Sequence, residues 1–351
     1  MTVLEHHPQF PCLGTPNSFH VFDGDLRSWD LDDGAVVAWP ECRYFRDVLA
    51  AFDRGYPSKG LRFVLTDRVN RVRALAGPDV VVICIKDELS RVPAYAHDVR
   101  LVGKTYGVRH TPDLPTPGAA SFPVMATTLA QEGFVQARRL PSLAQSALHT
   151  AWSGRRPNVI DLPLGTYLLR DEQFVPFSER PFDVSYVGSR TNRPGQSERL
   201  LPTRKMRSRL DLEQSIAALR LVRPQTRLVF RAIESFREAR VHSATFSRAL
   251  MQSRIALCPR GGSLETYRFF EALRSGTIPV CERLPERSFY SGSPAVTVRD
   301  WSDLPAVVDR LLADPIGLEA RHRAVLAWWE QRCSPAAVAR QLAVALSVDR
   351  E

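Results

Sequence analysis

The residues best placed to do chemistry fall in one stretch, Cys258 to Val280: Arg260, Gly261, Gly262, Arg268 and Glu271. Two glycines after a short apolar run let backbone N–H groups turn toward an anion, and a following helix adds its positive end. Arg260 would leave the C-terminal end of a strand, where open α/β sheets bind ligands, and a guanidinium there can fork onto a diphosphate. Glu271 lies three residues beyond Arg268, so the two share one helix face. A carboxylate so placed can accept hydrogen bonds from both hydroxyls of a ribose. The set points to a nucleotide-linked substrate.

The elements that must hold these groups can be read around them. Ile255 to Leu257 reads as a buried strand, Thr266 to Arg274 as a helix with Phe269, Phe270 and Leu273 as its apolar stripe, and Ile278 to Cys281 as the next strand. Gly276 suits the helix C-terminus. Upstream, Leu61 to Thr66, Val80 to Ile85 and Val99 to Val102 are strand-like, and Asp67 to Leu75 has helical character. Residues 111–124 read as a loop, Leu140 to Trp152 as a helix, and Pro163 to Gly165 as a crossover. A second series follows: strands at Asp183 to Val187, Arg227 to Ala232 and Ala295 to Val298, and helices near Lys205 to Leu219, Phe246 to Ser253, Leu318 to Arg332 and Pro335 to Ser347. The alternation predicts an α/β fold of two Rossmann-like domains facing a cleft, with C-terminal helices. The expected divisions are a first Rossmann-like domain at 1–165, a second at 166–335, and a helix at 336–351 packing back on the first.

The totals agree with such a protein. A chain of 351 residues, 44% hydrophobic and 24% charged, is long enough for two cores. Its longest apolar runs fall far short of the roughly 20 residues of a membrane helix. The start lacks a signal-peptide pattern, so a cytoplasmic protein is expected. The six cysteines form no C-x-x-C pair, and the eight histidines show no zinc-ligand spacing. Net charge is +9, with the densest cluster from Arg190 to Arg209 (Arg190, Arg193, Arg199, Arg204, Lys205, Arg207, Arg209). That balance suits an anionic partner: a nucleotide diphosphate, a phosphorylated acceptor, a membrane surface or a nucleic acid. No RNP pattern or zinc finger supports the last.

The run C-P-R-G-x-x-x-x-x-x-R-F-F-E-A-L-x-x-G-x-I-P-V from Cys258 to Val280 resembles the signature of exostosin-like glycosyltransferases, family 47. Asp183 to Ser189 is similar to the strand and loop that open the donor domain in such enzymes. The resemblance implies a GT-B fold and inverting transfer from a nucleotide-diphosphate sugar, with UDP the expected nucleotide, to a glycan or other hydroxyl acceptor. It places Glu271 on the donor ribose, Arg260 and Arg268 on the diphosphate, and Gly188, Ser189 and Arg190 beside the phosphates. No metal or cofactor is expected, because arginines and helix ends can neutralise the leaving group.

The general base should be an Asp, Glu or His of the first domain. Asp87 and Glu88 follow the strand Val80 to Ile85, and His110 follows Val99 to Val102. The strings Asp23-Gly-Asp25 and Asp30-Leu-Asp32 precede the first βα unit and read as chance matches to a metal-binding motif. A cysteine phosphatase loop would need Arg where Leu264 stands, and neither G-x-G-x-x-G nor a P-loop occurs in place. The reading from a different class is a non-catalytic sugar- or nucleotide-binding module on the same scaffold. Peripheral membrane association is also compatible with the charge.

Overall fold

The computed structural model describes residues 16–32, 39–56, 60–70, 76–113, 122–169, 173–191, 203–235 and 243–347. Cys12, Arg193, Arg199, residues 71–75 of the expected first helix and residues 114–121 of the expected loop lie outside them.

The chain divides into two compact units, residues 1–164 with 335–351, and residues 165–334. The first is built on β1 (Ser18–Phe22), β2 (Leu26–Ser28), β3 (Arg62–Thr66), β4 (Gly77–Cys84), β5 (Val99–Lys104) and β6 (Val159–Asp161), in the order β2-β1-β3-β4-β5-β6. All neighbours are parallel except the β1–β2 hairpin. The β-branched run Val80, Val81, Val82, Ile83 is wholly buried, as a central parallel strand covered on both faces requires. The same unit contains the helices α1 (Cys42–Gly55) and the long α2 (Phe122–Ser153). Tyr44, Phe45, Val48, Leu49 and Phe52 form the buried stripe of α1.

The second unit runs β7 (Phe182–Thr191), α3 (Arg204–Val222), β8 (Leu228–Ser235), α4 (Ser243–Met251), β9 (Ser253–Cys258), α5 (Tyr267–Arg274), β10 (Ile278–Cys281) and β11 (Val296–Thr297). It ends with α6 (Leu304–Ala313) and α7 (Pro315–Trp328), which passes into a π turn at Trp329–Cys333. The sheet is parallel throughout, in the order β11-β10-β9-β7-β8. Strand order therefore reverses between β7 and β9, which makes their carboxyl ends a topological switch point. The last helix, α8 (Pro335–Leu346), returns to the first unit and packs on α1.

The α/β class with two Rossmann-like units holds, and most expected elements recur within a few residues. Three differ. Residues 67–70 are not helical. Phe122, Pro123 and Val124 open α2 rather than end a loop, so that helix starts well before Leu140. The hairpin β1–β2 and α1 occupy a segment without an expected element. Asp23-Gly-Asp25 is the turn of that hairpin, with Asp23 bound to Arg27 and its carbonyl accepting from Arg68 at 2.9 Å. Asp30 likewise accepts the backbone N–H of Asp32 at 2.9 Å. Both D-x-D strings thus have local structural roles.

Candidate functional site

The expected donor residues Gly188, Ser189, Arg260, Gly261, Gly262, Arg268 and Glu271 all belong to the second unit, around the carboxyl ends of β7 and β9. The turn after β9 is closed by Gly261, whose N–H donates to the Glu265 carbonyl at 3.1 Å. A side chain at Gly261 would bring Cβ to 2.6 Å from that carbonyl oxygen, so the turn needs glycine. Gly262 is exposed on its outer side. Glu265 then pairs with Arg287 at 3.1 Å in a buried ion pair.

Helix α5 departs from the expected two-faced form. Phe269, Phe270, Ala272 and Leu273 are buried, but so are Arg268 and Glu271. Arg268 reaches under β7, where its Nη2 donates to the Val187 carbonyl at 2.6 Å. Its guanidinium carbon lies 4.9 Å from the ring centre of Tyr186 and 5.4 Å from that of Phe246, both cation–π contacts. Glu271 turns to the segment that opens the second unit. Its Oε1 accepts the backbone N–H groups of Tyr167, Leu168 and Leu169 at 2.9, 2.6 and 3.2 Å. Burial pushes the Glu271 carboxyl above its ordinary range, against the pull of those donors and of Arg268. One oxygen of Glu271 is therefore engaged by this chain, a role that spacing alone did not indicate.

The far end of α5 is held with equal care. Gly276 takes a left-handed φ of 65° at the helix C-terminus. Buried Arg180 donates there to the carbonyls of Ser275, Gly276 and Ser253 at 2.7, 3.4 and 2.8 Å and to Thr277 Oγ1 at 2.9 Å. Burial, opposed by Glu319, pulls its guanidinium down to about 10. His322 Nδ1 meets the Gly276 carbonyl at 2.5 Å.

Arg209, on α3, completes the cluster at the switch point. Its Nη1 donates to Ser189, both to the carbonyl and to Oγ at 3.1 Å, and its Nη2 donates to the Arg260 carbonyl at 3.3 Å. It thus ties the end of β7 to the turn after β9. Burial pulls the Arg209 guanidinium down to about 10, opposed by Tyr186 and Glu282 and reinforced by Arg268. Glu282, just beyond β10, accepts from the Arg260 N–H at 3.0 Å and from Ser208 Oγ at 2.6 Å. Among the described residues, Arg209 Nε, Arg268 Nε and Tyr186 Oη are buried donors without a hydrogen-bond acceptor. Three such donors beside clustered guanidiniums make a site suited to an anion.

Arg190, the remaining expected donor residue, lies at the carboxyl end of β7. Its guanidinium forks onto Glu213, with both contacts at 2.7 Å, so this arginine is engaged by a carboxylate on α3.

Of the expected bases, all in the first unit, Asp87 is held between two cations, Lys104 at 2.8 Å and Arg91 at 2.9 Å. Burial alone would raise its carboxyl, but Lys104 and Arg91 override that and hold it below the ordinary value. This ion pair lowers its proton affinity, which argues against use as a base. Glu88 is exposed. His110 is half-buried, with Nε2 hydrogen-bonded to Glu132 of α2. Gln136 Nε2 donates to the same Glu132 oxygen at 3.1 Å. One turn on, Arg139 donates to the carbonyls of Val108 and Ser90 at 2.9 and 3.3 Å. A polar stripe of α2 therefore fixes the loop that carries His110.

Sequence reasoning did not single out Tyr186, Glu282 or Glu132, and it left Arg209 as one of seven clustered cations. A signal for Arg209 existed: Met206, Arg209, Leu212, Ile216 and Leu219 follow helical spacing, which put an arginine on the buried stripe of α3.

Residues 190–335 match the family model described as the RXYLT1 C-terminal domain. The chain is 35% identical over 81 residues to ribitol-5-phosphate xylosyltransferase 1 of Danio rerio, covering 19% of each protein. It is 31% identical over 99 residues to the Homo sapiens protein of that name, covering 24% of this chain and 22% of that one. The matched segments thus span about a fifth of the relatives' length. Among solved structures, the GtfA/B complex aligns with a TM-score of 0.42 at 13% identity, over 82% of this chain and 57% of that one.

Proposed function

We propose that the chain is a glycosyltransferase that transfers a sugar from a nucleoside-diphosphate sugar to a hydroxyl acceptor with inversion. The observation that carries this reading is the set of buried donors on Arg209, Arg268 and Tyr186 at the switch point of the second unit. A diphosphate supplies the acceptors those donors lack, and the surrounding guanidiniums favour its charge. The similarity of residues 190–335 to a xylosyltransferase C-terminal domain makes UDP-xylose the first donor to test. The resemblance of Cys258 to Val280 to the exostosin-like signature, and a GT-B arrangement, belong to the same reading.

In the reaction, the acceptor oxygen attacks the anomeric carbon from the face opposite the diphosphate. The bond from that carbon to the leaving oxygen breaks, and its electron pair stays with the diphosphate. Arg209, Arg268 and Arg260 oppose the charge that builds there. A general base takes the hydroxyl proton, and His110, which Glu132 orients through Nε2, is the residue we assign to it. Nδ1 is then the nitrogen left to take the proton.

Calorimetry with UDP-xylose, UDP-glucose and UDP tests the donor site. Tyr186→Phe keeps the ring that packs on Arg268 and removes the buried hydroxyl. The expected result is binding by the wild type and roughly 5- to 10-fold weaker binding by the variant, about 1 kcal/mol for one hydrogen bond. If neither UDP nor either UDP-sugar binds at millimolar concentration, the reading fails.

A further inference from the structure

Helix α2 is built the wrong way round for a surface helix of one isolated molecule. The stripe facing its own unit is mostly polar, with Leu143 as its apolar contact to the core. Glu132 holds His110, Arg139 the carbonyls of Ser90 and Val108, Ser142 Oγ the Val92 N–H at 3.2 Å, and Ser146 Oγ the His97 ring at 3.0 Å. The outer face is apolar: Phe122, Met125, Leu129, Phe134, Leu140, Leu148 and Trp152 are exposed. A surface helix ordinarily turns its apolar stripe inward. An outward one calls for a partner.

The spacing on that face says what kind of partner. Ala126, Ala130, Gly133, Ala137, Leu140, Ala144, Ala147 and Ala151 recur at alternating intervals of four and three residues and are all exposed. This is a heptad seam, the pattern by which one helix packs along another. Small side chains in the seam allow close approach, and the larger flanking Leu129, Phe134 and Leu148 can cover its sides. A lipid surface would need no such period. The seam is also symmetric about its midpoint between Arg138 and Arg139. In an antiparallel pairing with itself, Ala137 meets Leu140, Gly133 meets Ala144, Ala130 meets Ala147, Ala126 meets Ala151, and Leu129 meets Leu148. A self-complementary face of this kind suits a two-fold axis.

The area suffices. Phe122, Phe134 and Trp152 are 77%, 55% and 90% exposed. At roughly 150–250 Å² per buried aromatic ring, these three and the four aliphatic side chains supply on the order of 800 Å² per copy. That is about what each partner contributes to a standard interface. Charge does not oppose the contact, because Glu132 is the single acid of α2 and is turned inward, and Arg138 lies to one side over the Phe134 ring at 5.3 Å.

We infer that α2 is the dimerisation helix of this protein, pairing antiparallel with α2 of a second copy across a two-fold axis near Arg138. Sedimentation velocity on the full chain at about 50 µM tests it. The expected mass is twice that of the 39.4 kDa chain. Ala137→Glu puts a carboxylate in the seam and should return the monomer with unchanged circular dichroism. The double variant Leu129→Cys with Leu148→Cys should form interchain disulfides on mild oxidation, and neither single variant should do so efficiently. A monomeric wild type, or an Ala137→Glu variant that stays dimeric, overturns the inference. So does a wild type that is monomeric alone and floats with phosphatidylglycerol vesicles, which would give the face to a lipid surface.

Discussion

Gly188 and Arg268 are spatially interlocked: a β-carbon at Gly188 would stand 2.9 Å from Cζ of Arg268 and closer still to Nη2. The guanidinium passes under the end of β7 through the space that a side chain would fill. Strand and helix thereby set each other's position at the switch point, because Arg268 reaches the Val187 carbonyl only across a residue with no side chain. The glycine that suggests flexibility in sequence serves here to admit a buried cation.

Gly188→Ala should therefore act through Arg268. The displaced guanidinium loses its bond to Val187, and the overpacked site costs about 1–3 kcal/mol of stability. Donor affinity should fall by roughly tenfold or more, the effect of losing about 1.4 kcal/mol of charge-assisted hydrogen bonding. Calorimetry with a UDP-sugar and a denaturant midpoint on the same sample check both. Unaltered affinity would mean that Arg268 does not touch the donor.

Arg180→Met should be more damaging to the fold, although Arg180 has no expected contact with donor. The substitution leaves the buried carbonyls of Ser275 and Gly276 at the C-terminal end of α5, and that of Ser253 at the start of β9, short of donors. At about 1–3 kcal/mol for each buried group left unsatisfied, the loss should reach about 3 kcal/mol. A lowered denaturant midpoint checks it, and a midpoint within error of wild type would show that water replaces the guanidinium at no cost.

How much of this was legible in sequence can be argued from the same helix. The stripe Phe269, Phe270, Leu273 and the glycine at 276 fixed α5 and its end, because local periodicity and turn chemistry are enough for that. They could not reveal that Arg268 and Glu271 are buried as well. Burial of Glu271 depends on Tyr167 to Leu169, about a hundred residues away in the chain, and burial of Arg268 on β7 and Phe246. α2 was only half legible for a related reason: most of its large apolar side chains face outward and its inner side is mostly polar, so the pattern of an amphipathic core helix marks only its last turns. The spacing of Tyr44, Phe45, Val48, Leu49 and Phe52 does mark α1, a segment in which no element was expected.

Asp87→Asn tests the part given to the Asp87–Lys104 pair. Both side chains are buried, at 1% and 0% exposure, so removing the carboxylate leaves an uncompensated ammonium. At neutral pH the loss should be about 3–5 kcal/mol. The folded-state pKa of Asp87 lies below its ordinary value of 3.8. Its contribution is therefore complete above that pH and disappears as pH falls through the folded value, because the unfolded chain takes up the proton first. Wild type and variant should converge in stability as acid removes the charge from Asp87. A constant gap between them down to the lowest measurable pH would rule the ion pair out as its source.

His110 and Glu132 carry the last prediction, which separates a base from a structural histidine. His110→Ala should leave UDP-sugar affinity unchanged, because the donor groups all lie in the second unit, and should lower transfer by 10²- to 10⁴-fold, the usual weight of general base catalysis. Glu132→Gln keeps the size and the hydrogen bond but removes the charge that favours Nε2–H, so it should lower kcat without raising KM for donor. Nitrogen NMR of the imidazole provides the reading that a packing role would not move. In the wild type the proton should reside on Nε2 with Nδ1 open, and in Glu132→Gln the two tautomers should mix. Normal turnover in His110→Ala would remove His110 as the base, whatever the tautomer. Loss of turnover with the tautomer unchanged in Glu132→Gln would keep His110 and assign Glu132 to holding the loop through Gln136 and Arg139.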